Sequence, residues 1–298
     1  MFKIAAKEEI APKFHRFVVQ APEIARKHRA GQFVMVLPSN VGERIPLTIA
    51  ASDPEAGTIT LVVQEVGKTT MAMGLMAAGQ EFVSVVGPLG TPTHLENFGT
   101  VACVGGGAGI APMLPIAGGL KKAGNKVLSI LGGRTQELVI LREEMAAVSD
   151  EIFYTTDDGS FGKKGLVTHA LAELIAERGT PNLVVAIGPA IMMKAVAEMT
   201  RKLAIPTLAS LNSIMVDGTG MCGGCRVQVD DQTRFTCVDG PEFDGHQRGH
   251  QPPRRLGRRR HRHRQRHRDP RHGRRQDRRA GHPQLSLRQR QVVQASHA

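Results

Sequence analysis

Short hydrophobic segments in the first third of the chain predict β-strands. Four of them are rich in Val, Ile, Phe and Thr and often have Gly, Pro, Asn or Asp between them, at 14–20, 32–37, 58–65 and 81–86. Strands of this length and spacing are typical of a small antiparallel barrel, which we assign to residues 1–98. Residues 70–78 are apolar on nearly all sides, which predicts a helix packed all round.

From about residue 99 the pattern alternates between apolar strands and longer helical segments. Strands are predicted at 101–104, 126–131, 151–155 and 183–187. Helices are predicted at about 112–123, 138–148, 167–178 and 191–203. This alternation indicates an α/β domain with a parallel sheet, which we assign to residues 99–206. A short cysteine-containing module follows at 207–246.

The charges are distributed unevenly along the 298 residues. The chain has 39 Lys and Arg against 27 Asp and Glu, a net charge of +12. Residues 247–298 contain 17 Arg and two Asp, so this tail carries +15 and the preceding part −3. The tail consists mostly of Arg, His, Gln, Pro and Gly, which cannot form a hydrophobic core. It is therefore predicted to be disordered. Our hypothesis is that it is a frameshift product of a GC-rich gene.

The tail alone suggests nucleic-acid binding as an alternative function. It has no Phe, Tyr or Trp to stack on bases, so we expect no specific nucleic-acid partner. No segment approaches the roughly 20 apolar residues of a membrane span, and residues 1–17 do not resemble a secretory signal. Four cysteines are too few for a disulfide scaffold, so we expect a cytoplasmic protein.

A glycine-rich segment follows the first strand of the α/β domain. The backbone at Gly105, Gly106, Gly107 and Gly109 can approach a pyrophosphate, and the helix that begins after them favours an anion. The spacing differs from Gly-x-Gly-x-x-Gly, which disfavours an ordinary dehydrogenase domain. A flexible turn is the alternative interpretation.

Two segments of the barrel are candidates for binding phosphate. Arg44, Pro46 and Thr48 would share one face of a strand, where the guanidinium and hydroxyl groups suit a phosphate. Residues 67–70, Gly-Lys-Thr-Thr, lie at the start of the predicted apolar helix and would contact the same group. Each segment alone would equally fit an exposed strand edge or turn.

The cysteines give the most specific signal. Cys222-x2-Cys225-x11-Cys237 offers three thiolates, and Asp217 lies five residues before the first. Three thiolates in a Gly-rich loop favour a [2Fe–2S] cluster. Structural zinc, with His246 or Asp217 as the fourth ligand, and no metal at all are the alternatives. Cys103, inside a strand, is predicted to be a buried apolar residue.

These motifs, in this order, resemble the ferredoxin–NADP reductase superfamily over nearly all of residues 1–246. The resemblance is closest to the branch of dihydroorotate dehydrogenase electron-transfer subunits, sulfide dehydrogenase β subunits and small subunits of NADH-dependent reduced ferredoxin–NADP oxidoreductases. Dihydroorotate-type subunits have a fourth cysteine where Asp217 stands, whereas the last group has Asp and three Cys.

The resemblance implies the following site residues. FAD would contact Arg44, Pro46, Leu47 and Thr48, and also Gly67, Lys68, Thr69 and Thr70. A pyridine nucleotide would contact Gly105, Gly106, Gly107, Gly109, Ile110 and Pro112, the loop with Asp157 and Asp158, and Gly188, Pro189 and Met192. Ile187 replaces the cysteine of the family motif. The cluster ligands would be Asp217, Cys222, Cys225 and Cys237.

The resemblance also implies a function without any catalytic acid–base residue of the protein. Electrons would pass between NAD(P)H, FAD and a [2Fe–2S] cluster, with a larger flavin/[4Fe–4S] subunit as partner and ferredoxin as an indirect one. Arg134 would pair with a 2′-phosphate, whereas Asp157 and Asp158 would favour a free hydroxyl; the resemblance favours NAD(H). The alternative is the electron-transfer subunit of an NAD-dependent dihydroorotate dehydrogenase, against which Asp217 argues.

Overall fold

The strands of the first third form an antiparallel sheet that curls into a nearly closed barrel. A computed structural model describes residues 2–229 and 232–244. The barrel strands in these residues are β1 (Phe2–Ala11), β2 (Phe14–Gln20), β3 (Phe33–Leu37), β4 (Ile45–Asp53), β5 (Thr58–Gln64), β6 (Glu81–Phe82) and β7 (Ser84–Leu89). They pair in the order β6-β1-β2-β5-β4-β3-β7. The alternation of buried and partly exposed residues along β5 is that of a barrel strand, because every second side chain points into the core. The buried residues are Ile59, Leu61 and Val63.

The second sheet is mostly parallel. Its strands within the described residues are β8 (Thr100–Gly106), β9 (Lys126–Gly133), β10 (Glu151–Thr156), β11 (Lys163–Lys164), β12 (Leu183–Ile187), β13 (Thr207–Ser210) and β16 (Glu242–Asp244). They pair in the order β11-β10-β9-β8-β12-β13-β16, and only the β13–β16 pair of these is antiparallel. A separate hairpin contains β14 (Arg226–Val229) and β15 (Gln232–Phe235).

Two of the described helices pack on the barrel, and the others pack on the two faces of the parallel sheet. Those described are α1 (Pro22–Lys27), α2 (Lys68–Gly74), α3 (Ile110–Lys122), α4 (Arg142–Ala147), α5 (Val167–Arg178) and α6 (Ala190–Lys202). One face of α3 packs on the sheet, and the same apolar cluster includes Phe14 and Ala50 of the barrel. Helices α5 and α6 cover the opposite face. The cysteine module packs on the barrel through Phe33 and Met35 of β3.

The predicted fold class, barrel plus parallel α/β domain plus cysteine module, is confirmed. Strands β2 and β12 and helix α5 have the predicted bounds. Cys103 is buried, as predicted, and burial raises the pKa of its thiol to about 12. The domain limits at 98, 206 and 246 stay a prediction, and the tail at 247–298 lies outside the described residues.

Two helix predictions are wrong in part. Helix α2 is not packed all round, because Met71 is 57% exposed. The helix predicted at 138–148 is instead a 3₁₀ turn at Gln136–Leu138 followed by α4. Between them, Leu141 has a φ of 52°, which interrupts the helix, and the buried Ile140 and Leu141 join the core. In the described residues no helix combines the length and apolar character needed to cross a membrane.

Candidate functional site

A cavity of about 180 Å³ lies where the barrel meets the carboxyl edge of the parallel sheet. This is the edge at which open α/β sheets bind ligands. Six of the predicted site residues line it, namely Pro46, Leu47, Thr48, Gly109, Pro112 and Gly188. The volume is below the roughly 300–1,000 Å³ of typical ligand pockets, so it would hold only part of a dinucleotide.

The glycine-rich segment forms a tight backbone contact beside this cavity. Strand β8 ends at Gly106, a 3₁₀ turn follows at Gly107–Gly109, and α3 begins at Ile110. A Cβ on Gly109 would lie 2.2 Å from the carbonyl oxygen of Ile187, and one on Gly106 would lie 2.5 Å from Sδ of Met192. Gly109 is therefore required by its packing on the backbone of β12, whereas a side chain at Gly106 would have to displace only the flexible end of Met192.

Gly107 has a different environment from its neighbours. Its φ is 53°, and a Cβ there would meet nothing within 4 Å. The backbone at this residue is therefore open to an approaching ligand, as a pyrophosphate-binding turn requires.

This difference predicts opposite outcomes for two substitutions of the same type. We expect Gly109→Ala to lower the free energy of unfolding by about 2–3 kcal/mol, because the new methyl group overlaps backbone atoms of β12. Gly107→Ala should lower the free energy of unfolding by only about 1–2 kcal/mol, the cost of left-handed backbone strain. Its main effect should be weaker nucleotide binding. Urea unfolding and nucleotide titration of both variants test this, and equal stability losses would contradict it.

The two predicted phosphate-binding segments of the barrel are placed differently. Arg44 is exposed immediately before β4, while Thr48 lines the cavity. The Thr70 hydroxyl accepts hydrogen bonds from the amides of Val66 and Gly67, each at 3.0 Å, and so holds the start of α2. Thr69 is buried and Gly67 and Lys68 are exposed, so the backbone here and the Lys68 ammonium face solvent.

The loops after β9 and β10 lie side by side at the same sheet edge. The amides of Asp157 and Asp158 donate to the carbonyls of Gly133 and Arg134, at 3.1 and 3.3 Å. The Asp158 carboxylate accepts bonds from the amide and hydroxyl of Ser160, and these bonds lower its pKa. Asp158 therefore shapes its own loop, whereas Arg134 and Asp157 are exposed at the edge.

The cysteine module brings two thiols together and leaves one outside. The sulfur atoms of Cys225 and Cys237 lie 3.2 Å apart, and both residues are buried, whereas Cys222 is exposed. Burial is the main cause that raises the pKa of the Cys237 thiol, and its hydrogen bond with the Cys225 thiol raises the pKa further. Among the residues described, no three His, Cys, Asp or Glu side chains converge as a ready metal site.

Asp217 is connected to the same loop through hydrogen bonds. Its carboxylate accepts bonds from the amides of Thr219 and Cys222, both at 2.9 Å, and the Thr219 bond contributes most to lowering its pKa. A carboxylate has about four lone-pair positions, so these two bonds leave it able to coordinate a metal.

Two of the four donors, the buried thiols, fit a thiolate-bound metal centre after a small adjustment, and Cys222 would have to move inward to join them. Two thiolates on a tetrahedral metal with bonds of about 2.3 Å lie roughly 3.8 Å apart, so the two buried sulfur atoms would separate by about 0.6 Å. Gly218, Gly220 and Gly223 have positive φ values, which lets the loop that carries Cys222 turn tightly. Three thiols and a carboxylate suit iron–sulfur chemistry and would also bind zinc.

Two side chains connect the cavity with the buried thiol pair. Phe33 and Met215 line the cavity, and both belong to the packed cluster that contains Cys225 and Cys237. The cavity wall and the two buried thiols therefore share one apolar cluster.

The remaining residues predicted to bind the flavin or the nucleotide do not line the cavity. These are Arg44, Gly67, Lys68, Thr69, Thr70, Gly105, Gly106, Gly107, Ile110, Arg134, Asp157, Asp158, Pro189 and Met192. Sequence reasoning missed Ser210, Leu211, Asn212, Met215 and Pro241 in its wall. Ser210 is the last residue of β13, and Leu211 and Asn212 follow it. The rule that ligands bind at the carboxyl ends of such strands would have identified them.

Comparison with known proteins agrees with this arrangement. Residues 212–248 match the family described as the iron–sulfur cluster binding domain of dihydroorotate dehydrogenase B. Residues 103–198 match the family described as the oxidoreductase NAD-binding domain.

Individual relatives cover most of the chain. A protein of Thermotoga maritima named as a homolog of the dihydroorotate dehydrogenase B (NAD⁺) electron transfer subunit is 47% identical over 245 residues, 82% of this chain and 86% of the relative. The electron transfer subunit of Clostridium perfringens is 33% identical and matches over 82% of this chain and 96% of its own length. A structure of NADH-dependent reduced ferredoxin–NADP oxidoreductase superposes with a TM-score of 0.78 at 46% identity, over 82% of this chain and 88% of that chain.

The barrel, the parallel sheet and the cavity between them define an oxidoreductase of the ferredoxin–NADP reductase-like fold. Within that class, the chain belongs to the family of dihydroorotate dehydrogenase B electron-transfer subunits and their homologues.

Proposed function

We propose that this chain carries electrons between NAD(H), FAD and a [2Fe–2S] cluster. It would do so as the smaller subunit of a ferredoxin–NAD(P) oxidoreductase, with a larger flavin/[4Fe–4S] subunit as its partner. When bound, the flavin would accept hydride, two electrons at once, and the cluster would accept single electrons.

The residues of the chain have binding and positioning roles in this proposal. Pro46, Leu47 and Thr48 would hold the flavin ring at the cavity, with Arg44 and residues 67–70 near its phosphates. Gly107 and Gly109 would place the nucleotide on the opposite wall. Cys222, Cys225, Cys237 and Asp217 would hold the cluster.

The contact of Phe33 and Met215 with both regions is the observation that carries the proposal. Both side chains border the cavity and belong to the apolar cluster that contains Cys225 and Cys237. A ring bound in the cavity and a metal centre at the thiols would therefore be neighbours, with apolar side chains excluding water between them.

The charges at the edge of the parallel sheet assigned to the nucleotide favour opposite cofactors. Asp157 is exposed there, and a carboxylate favours a free ribose hydroxyl and repels a 2′-phosphate. Arg134 at the same edge would favour NADP(H), so the proposal of NAD(H) rests on the resemblance of the whole chain to NADH-dependent relatives.

An exposed apolar surface beside the cysteines supports a protein partner. Ile214 is 82% exposed, Val216 59% and Met221 89%, and all three lie within the segment that leads to Cys222. Exposed apolar clusters of this kind mark interaction sites.

This surface predicts that a charge would separate the subunits. We expect Ile214→Asp to weaken association with the larger subunit by at least about tenfold, because a carboxylate would be desolvated in the interface. Val41→Asp is the matched control, since Val41 is equally exposed but lies on a barrel loop. Copurification from cells that express both subunits measures the effect, and loss with both variants or with neither would count against this surface.

Dihydroorotate oxidation is the second candidate, because the cysteine module matches the family named for that enzyme. The same electron path would then serve a dihydroorotate-oxidising partner. Asp217, in place of the cysteine of those subunits, favours the first proposal.

The partner that copurifies from the native organism distinguishes the two candidates. A flavin/[4Fe–4S] protein supports ferredoxin–NAD(P) oxidoreduction, whereas a dihydroorotate-oxidising protein supports the alternative. Stopped-flow reduction of the purified complex with NADH and with NADPH tests the nucleotide, and faster reduction by NADPH would overturn the assignment of NAD(H).

A further inference from the structure

A His–Glu pair, in which the histidine is buried and the glutamate is partly buried, lies beneath the end of α2. Nε2 of His15, in β2, is 2.6 Å from Oε1 of Glu65, which directly follows β5. His15 is only 5% exposed, and its ring also contacts Phe17 edge-on. The pair therefore fixes the position of the Glu65 carboxylate inside the barrel wall.

Gly74, the last residue of α2, packs directly against the Glu65 carboxylate. A Cβ on Gly74 would lie 2.0 Å from Oε1 of Glu65 and 3.1 Å from Nε2 of His15. Lys7, in β1, donates a hydrogen bond to the carbonyl of Gly74. Three segments of the barrel thus hold one end of the helix, and glycine is needed there for space.

The other end of α2 is the segment assigned to the flavin phosphates. The helix has seven residues, and a helix this short does not form without tertiary contacts. Met73 is its buried apolar anchor, and the Thr70 hydroxyl bonds hold the turn at Val66 and Gly67. The position of residues 67–70 is therefore set by the contacts that hold α2 against the barrel.

We propose that His15 and Glu65, through Gly74, are positioning residues that set residues 67–70 for the flavin diphosphate. This inference rests on the proposed function, since it assumes that FAD binds there. Neither side chain lines the cavity. Their effect would reach the cofactor through α2, and it should appear in the binding of the phosphates rather than of the ring.

FAD titration of the full chain, stripped of flavin, tests this inference. We expect Gly74→Ala and His15→Leu each to raise the dissociation constant for FAD about tenfold, the equivalent of losing one charge-assisted hydrogen bond. Ile59→Val is the matched control, because it trims the barrel core within β5. It should lower the melting temperature comparably but change FAD affinity less than about twofold.

Phosphorus-31 spectra of bound FAD separate positioning from general stability. The diphosphate resonances should shift in the Gly74→Ala and His15→Leu variants, while the visible absorption of the ring stays unchanged. If either variant fails to fold, Lys7→Met removes the bond from the partly buried Lys7 to Gly74 and should shift the same resonances.

The outcomes distinguish this inference from the function on which it rests. A wild-type chain that binds no FAD overturns both. A wild-type chain that binds FAD, with wild-type affinity and unshifted phosphorus resonances in the variants, overturns the positioning role alone.

Discussion

Replacing Cys225 with Ser is expected to remove the iron from this protein. Cys225 and Cys237 are buried side by side, so the hydroxyl that replaces one thiol cannot be compensated by water or another side chain at that position. Iron content should fall from about two atoms per chain to nearly none, since [2Fe–2S] clusters depend on thiolate ligands. The rate of FAD reduction by NADH should change little, because Cys225 does not line the cavity assigned to the flavin and the nucleotide.

Cys103→Ala is the matched control for this prediction. Cys103 is equally buried but lies in β8, inside the core of the parallel sheet. We expect this variant to keep its iron and to lose about 1 kcal/mol of stability at most. Iron analysis and the absorption spectrum measure both variants, and full iron content in Cys225→Ser would rule out this residue as a ligand.

Glu242 is the buried acid from which we expect the second large effect. Its Oε1 atom is shielded from solvent, without a hydrogen-bond partner in the described residues, and the carboxyl lies beside Gly31 and the Thr93 hydroxyl. It forms no ion pair within residues 2–229 and 232–244. Burial therefore raises its pKa from 4.5 to about 7, and the Thr93 hydroxyl only partly opposes this.

The raised pKa predicts that stability is lost as pH rises. Below pH 4.5 the carboxyl is protonated in both the folded and unfolded states, so its full contribution is present. Between pH 4.5 and 7 only the unfolded state releases the proton readily, which lowers the free energy of unfolding by at most about 3 kcal/mol. Glu242→Gln carries no charge, so its stability relative to the wild type should increase over this range and remain higher above it.

Glu151→Gln is the control of opposite sign. Hydrogen bonds from Lys126 and Arg178 lower the pKa of Glu151, so its stabilising contribution is present above pH 4.5 and is lost as pH falls. Replacing Glu151 with Gln should therefore destabilise the protein at neutral pH and have little effect in acid. Urea unfolding at several pH values measures both variants, and a pH-independent difference between Glu242→Gln and the wild type would contradict the buried-acid account.

The sequence predicted those parts of the fold in which local pattern and burial agree. Helix α5 and strand β12 have matching bounds because their apolar periodicity is strong and glycine or proline lies close to their ends. Strand β1 was missed, since Lys3, Lys7 and Glu8 obscure its alternation and its partner β2 determines its course.

Parts of the candidate site depend on contacts between distant residues and could not be predicted. Six predicted residues meet at one cavity, because the motifs mark the ends of strands. The contact of Gly74 with His15, and the position of Glu242 beside Gly31, join residues far apart in the chain. No local pattern shows such pairs, because each residue alone fits an ordinary surface position.

The absorption and EPR spectra of the anaerobically purified protein, recorded before and after addition of NADH, test the central claim most directly. The account predicts flavin absorption that bleaches with NADH, together with the signal of a reduced [2Fe–2S] cluster. A colourless protein that contains zinc at its cysteines, and gives no signal with NADH or with a strong chemical reductant, would contradict it.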